Sequence, residues 1–256
     1  TVEKRLGCEL SDENPEHVRE IERFIWSGKR HDKNESTINS LIKDGQLQPG
    51  VVTIDGIVLS GNRRFRLLNE ISRNKDRYSK SNGNTDGLEY FEAAIIEEEL
   101  TKAEIVRYES YYQYGTDEKV DYDPIQKYIA AHDQKEIGFS NQDIANNFLV
   151  LTEGKEREVK KWLEIYELME EYLGEIGEPG VYTALEAQEQ SFLNLRSDLK
   201  GLQNGRSGTW AYDEFDIADF KRVYFDYIRN ATSTHDFRIF KKVFEDEARW
   251  RQFCQS

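Results

Sequence analysis

Residues 45–71 read Gly45-Gln46-Leu47-Gln48-Pro49-Gly50-Val51-Val52-Thr53-Ile54-Asp55-Gly56-Ile57-Val58-Leu59-Ser60-Gly61-Asn62-Arg63-Arg64-Phe65-Arg66-Leu67-Leu68-Asn69-Glu70-Ile71. The β-branched run 51–54 predicts a strand, Asp55-Gly56 a two-residue hairpin turn, and Ile57-Val58-Leu59 the returning strand. Gly61 closes that strand, and residues 63–71 carry Phe65, Leu67, Leu68 and Ile71 at helical spacing. A glycine between a strand and a helix start lets the backbone approach a phosphate, and the helix dipole favours negative charge there. Arg63, Arg64 and Arg66 add guanidinium donors suited to phosphate oxygens. The same residues also fit an ordinary basic helix start.

Upstream, residues 36–43 place Ile38, Leu41 and Ile42 on one face of a short helix that Gly45 ends. Residues 74–87 are rich in Asn, Ser and Gly and predict a surface loop, and 90–96 predict a further strand. Beyond about residue 101 the pattern is helical. Thr101-Lys102-Ala103-Glu104 and Ser140-Asn141-Gln142-Asp143 are capping-box sequences, and Asp123-Pro124 opens a helix to about 136. Further helices are expected over 153–173, 183–202, 216–230 and 236–250. No internal repeat is visible.

The 256 residues include 35 Lys+Arg and 49 Asp+Glu, a net charge of −14. The balance is uneven: residues 60–80 hold seven bases against two acids, whereas 164–178 hold six glutamates and no base. An acidic total disfavours indiscriminate nucleic-acid binding but leaves room for a local basic face. No apolar run approaches the roughly 18 residues of a membrane helix, so no membrane partner is expected. The charged Thr1-Val2-Glu3-Lys4-Arg5 lacks a signal-peptide core. Cys8 and Cys254 cannot form a knuckle, and two thiols so far apart suggest a cytoplasmic setting. His17, His31, His132 and His235 lack ligand spacing. Neither a G-x-x-x-x-G-K-[ST] loop, a G-x-S-x-G elbow nor an H-E-x-x-H occurs. Glu97-Glu98-Glu99 reads as a solvated turn, and Tyr111, Tyr112 and Tyr114 as core residues or as rings able to stack on a base.

The order helix, Gly45-Gln46-Leu47-Gln48-Pro49, hairpin, Gly61-Asn62-Arg63-Arg64 resembles the N-terminal module shared by ParB partition proteins and sulfiredoxin. Glu109, Gln113 and the segment Asp121-Tyr122-Asp123-Pro124-Ile125 resemble the stretch that in ParB-like proteins precedes a helix-turn-helix. The likeness spans roughly residues 20–175. It implies an α+β fold: a ParB/sulfiredoxin-like nucleotide-binding domain with a small mixed sheet over 1–100. A mostly helical domain with a helix-turn-helix-like unit would follow over 101–180, then a helical extension over 181–256.

The resemblance further implies a site for a nucleoside triphosphate with Mg²⁺, ATP or CTP. Gln48, Gly61, Asn62, Arg63, Arg64 and Arg66 would hold the nucleotide. Arg64 and Glu109 would carry a slow hydrolysis, and Glu109 and Asp121 would hold the metal, with Asp123 a weaker candidate. The expected role is a magnesium-dependent triphosphatase in a DNA-related process such as partition, phage maintenance or genome defence. Asn62 stands where the ParB box usually has Glu, and Ser110 where Asn is usual. The glycine box holds no Cys, so sulfinic-acid reduction is not expected. Two other readings stand beside this one. In a non-enzymatic DNA-binding adaptor, the arginines of the glycine box would contact backbone phosphate, and the helix-turn-helix-like unit, with Lys155, Arg157, Lys160 and Lys161 on its second helix, would read a site. In an interaction module, acidic helices would bind a partner protein.

Overall fold

The structure, a computed structural model, describes residues 11, 14–20, 31–79, 85–114, 124–205, 210–230 and 234–255. The chain is α+β and mostly helical, with one small mixed sheet among the described residues. It divides into two compact units, residues 1–118 with 147–151, and residues 119–146 with 152–256.

The first unit contains α1 (His31–Asp44), β1 (Gly50–Thr53), β2 (Val58–Ser60), α2 (Asn62–Arg73), α3 (Lys75–Ser79), β3 (Ala93–Ile96) and α4 (Lys102–Tyr114). The sheet order is β2-β1-β3; β1 runs antiparallel to β2 and parallel to β3, with Gly50 opposite Ala93 and Thr53 opposite Ile96. The turn after β1 is one residue longer than the expected two-residue hairpin. The Gly56 amide donates to the Thr53 carbonyl at 3.0 Å, and Gly56 takes φ +91°. A three-residue loop ending in a left-handed glycine matches the twist of the strands, and the Thr53 hydroxyl accepts from the Ile57 amide at 2.9 Å. Helices α1 and α2 bury Ile38, Leu41, Leu67, Leu68 and Ile71 together with Leu88, and Phe91 packs against that cluster. The polar stretch after α2 is not all loop, since α3 occupies five of its residues. The expected strand over 90–96 is real but begins only at Ala93.

The second unit holds α5 (Pro124–Glu136), α8 (Glu156–Glu175), a 3₁₀ turn (Tyr182–Leu185), α9 (Glu189–Gln203), α10 (Glu214–Arg229), α11 (Thr234–Phe244) and α12 (Glu247–Cys254). The short helices α6 (Asn141–Asn147) and α7 (Leu149–Thr152) lie where the two units divide in sequence. Both capping boxes close as read: the Thr101 amide donates to Glu104 at 2.9 Å, and the Ser140 amide to Asp143 at 3.0 Å. Three expected helices are shorter than their periodicity suggests. The one expected from 153 starts at Glu156, because Glu153 and Gly154 are both left-handed, at φ +52° and +68°. The one expected from 183 begins as the 3₁₀ turn, with Ala187 at φ +65° before α9. The span 236–250 is two helices, because Asp246 caps α12 by accepting from the Arg249 amide at 3.1 Å.

The core of the second unit is aromatic. Phe220, Tyr224, Phe240, Phe244 and Trp250 are buried, with Tyr224 stacked on Phe237 at 4.5 Å and Trp250 on Phe253 at 5.8 Å. Ion pairs link neighbouring helices: Glu164 with Arg196 at 2.6 Å, Lys221 with Glu171 at 2.5 Å and Lys241 with Asp198 at 2.7 Å. The Tyr224 hydroxyl is buried without a hydrogen-bond partner among the described residues, and burial raises its pKa. A buried polar group left unsatisfied costs on the order of 1–3 kcal/mol. Tyr224→Phe keeps the ring and removes that oxygen, so it is expected to leave stability unchanged or raise it by about 1 kcal/mol. Urea titration checks this, and a clear loss of stability would show that the hydroxyl has a partner.

Candidate functional site

The corner between β2 and α2 is assembled from three chain segments. Gly61 caps α2 in a left-handed conformation, at φ +88°, which an L side chain rarely adopts. The loop before β1 is pinned by Gln46: its Nε2 donates to the Glu92 carbonyl at 2.6 Å and to the Gln48 carbonyl at 2.9 Å, and its Oε1 accepts from the Glu92 amide at 3.1 Å. The Gly50 amide also donates to the Glu92 carbonyl, at 2.8 Å. Arg64, in the first turn of α2, donates from Nη1 to the Gln48 carbonyl at 2.5 Å. The ring of Phe91 lies across both glycines: a Cβ on Gly50 would sit 2.2 Å from its Cζ, and one on Gly61 would sit 2.9 Å from it.

Both glycines therefore have a packing role, in Gly61 besides the phosphate approach that its sequence position suggests. Their missing side chains make room for Phe91. The peptide amides that open α2 are a different surface of the same corner, and helix geometry leaves them without intrahelical acceptors.

The predicted site residues separate into groups. Gln48, Gly61 and Arg64 meet at this corner, Gln48 through its main-chain carbonyl. Asn62 is exposed at the helix start, and Arg66 is partly buried. Arg63 turns the other way, its Nε donating to Asn34 Oδ1 on α1 at 3.2 Å. The two adjacent arginines are thus held by different elements and do not form one clamp. Successive residues on a helix lie about 100° apart, which accounts for the divergence.

Glu109 lies on α4, which packs beside β2, the strand leading into Gly61. It is half-buried, with no hydrogen-bond or ion-pair partner among the described residues, and burial alone raises its pKa. Its neighbours are aromatic: Tyr108 and Tyr112 stack at 6.5 Å, and Tyr111 meets Tyr112 edge-on at 5.4 Å. Tyr114 is core, packed on Phe148 at 4.8 Å. Asp121 and Asp123 lie outside the described residues. Among the described residues no three His, Cys, Asp or Glu side chains converge as a metal site.

The bases expected to meet DNA are each beside an acid. Lys155 pairs with Glu153, Lys160 with Glu156 at 3.0 Å, and both Lys161 and Arg157 lie 3.6 Å from Glu158. This pairing offsets the potential that phosphate contact needs. No described helix is long and apolar enough to cross a membrane.

Three residues around the start of α2 have no role that the sequence reading assigned. Gln46 and Phe91 act across the β1–β3 pairing, and Asn34 acts from α1. Only the paired glycines hinted that something approaches closely. No family model and no curated protein matches this chain.

Proposed function

We propose that the first unit is a ParB/sulfiredoxin-like module. In this reading the Gly61 corner binds a nucleoside triphosphate, ATP or CTP, with magnesium, and hydrolyses it slowly. The observation that carries this is Glu109. A carboxylate kept half out of water without a cation is costly as an anion, and an incoming cation relieves that cost. One carboxylate beside a triphosphate is compatible with magnesium. Mg²⁺ is usually bound through one or two carboxylates plus substrate phosphates and retained waters, without a protein-built cage. Glu109 would hold it, and the ion when bound would neutralise phosphate charge.

The chain's own residues do the rest. The opening amides of α2 face the phosphates, and Arg64 exchanges the Gln48 carbonyl for a phosphate oxygen, a stronger charge-assisted bond. Arg63, tied to Asn34, stiffens the helix start and adds positive potential. In this reading such a module would act in a DNA-related process, with the helix-turn-helix-like domain over 101–180 following it.

Calorimetric titration with ATP, CTP and GTP in the presence of magnesium tests this. Saturable binding of at least one, lost on chelation and in Glu109→Gln, is expected. Heat-silent titrations with all three overturn it. Glu109→Gln has a second signature. The folded pKa of Glu109 lies above its ordinary value, so its ionised form destabilises the fold. The variant should melt higher than wild type at pH 7, and the gain should vanish as pH falls through the carboxylate range, where the native side chain is protonated in both states. Melting curves from pH 4 to 8 read this directly, and an unchanged or lower melting point at pH 7 contradicts it.

A further inference from the structure

Phe65 is out of place as a core residue. It lies between Arg64 and Arg66 on α2 and is 40% exposed, and it is not part of the cluster that α2 buries with α1. Its ring is nonetheless fixed. It meets Phe91 edge-to-face at 5.3 Å and 65°, and Phe91 is itself wedged against Gly50 and Gly61. The result is an aromatic ring partly open to water and joined to the glycine corner through Phe91. Tyr90 is more exposed, at 71%, but no described ring contacts it.

We propose that Phe65 is the stacking platform for the nucleobase of the bound ligand. This makes the ligand class a nucleoside triphosphate and not a bare polyphosphate. The inference rests on the phosphate reading of the Gly61 corner. Burying an exposed ring under a base recovers apolar area, and the π-face accepts any base, so the platform gives affinity without base identity. An anion site alone would not need it.

The full chain is titrated with magnesium plus ATP, CTP or inorganic tripolyphosphate. Wild type should bind its preferred nucleotide roughly tenfold or more tightly than tripolyphosphate. Phe65→Leu should bring the nucleotide down to the tripolyphosphate level while leaving tripolyphosphate affinity unchanged. Phe65→Tyr should restore the difference. Equal binding of nucleotide and tripolyphosphate by wild type overturns the inference while leaving the phosphate site intact. So does a preference that survives in Phe65→Leu. Equal weakening of both probes in Phe65→Leu, with a lowered melting point, also overturns it, since the ring would then serve packing only. If wild type binds none of the three probes, the phosphate site itself falls, and the platform with it.

Discussion

Arg64→Ala is expected to abolish measurable triphosphate binding while leaving the melting point almost unchanged. The two halves of that result have separate causes. Among the described residues Arg64 makes one hydrogen bond, to the main-chain carbonyl of Gln48, and a bond of that kind near the surface adds little to stability. With a triphosphate present, the same guanidinium donates to charged oxygens, and each such hydrogen bond contributes about 1.5–3 kcal/mol. Removing a forked pair of them lowers affinity by roughly a hundredfold or more. Arg64→Lys should fall between the two, because it keeps the charge and loses the fork. Calorimetry measures the affinities and a thermal melt the fold. An Arg64→Ala protein that still binds at wild-type affinity removes this corner as the phosphate site.

Gly50→Ala is expected to produce the largest loss of stability of any single methyl added to the first unit. Its Cβ would lie 2.2 Å from Phe91 Cζ and 2.8 Å from the Ser60 carbonyl oxygen. Phe91 could swing its ring tip away, but Ser60 belongs to the neighbouring strand, and moving its carbonyl disturbs the β1–β2 ladder. Overpacking of this kind costs about 3 kcal/mol when backbone must shift. The displaced Phe91 would also release Phe65, so nucleotide binding should fall along with stability. Denaturant titration followed by far-ultraviolet dichroism measures the first effect. A wild-type midpoint would mean that the ring does not occupy the space above the glycines.

How much of the fold is legible in the sequence depends on the range of the interactions. Local chemistry is legible. Asp55-Gly56 marks the hairpin, the boxes at Thr101 and Ser140 mark two helix starts, and the apolar spacing of Leu67, Leu68 and Ile71 fixes the buried face of α2. Sequence and structure part where a single residue reverses a long periodic pattern. Glu153 and Gly154 are both left-handed and delay the start of α8 to Glu156, and Asp246 caps a new helix inside the expected run 236–250. The candidate site is half visible. Gly61 and Arg64 announce a corner, and Glu109 is reachable only through the resemblance. Nothing along the chain shows that Arg63 would be drawn to Asn34, or that a phenyl ring from beyond residue 90 would explain two glycines. Those facts belong to tertiary pairing, which local sequence does not encode.

The pairing of Gln46 with Glu92 joins positions 46 residues apart, and it has a bearing on assembly. Hairpin and helix can form early from nearby contacts, yet neither the ring over the glycines nor the pinned loop exists until the later strand docks. Loop closure over such a span is slow compared with local turns. A nascent chain or proteolytic fragment ending before Glu92 would therefore carry every arginine of the glycine box and still lack the finished corner, so competence for ligand arrives only after that distant segment has been synthesised and zipped into place.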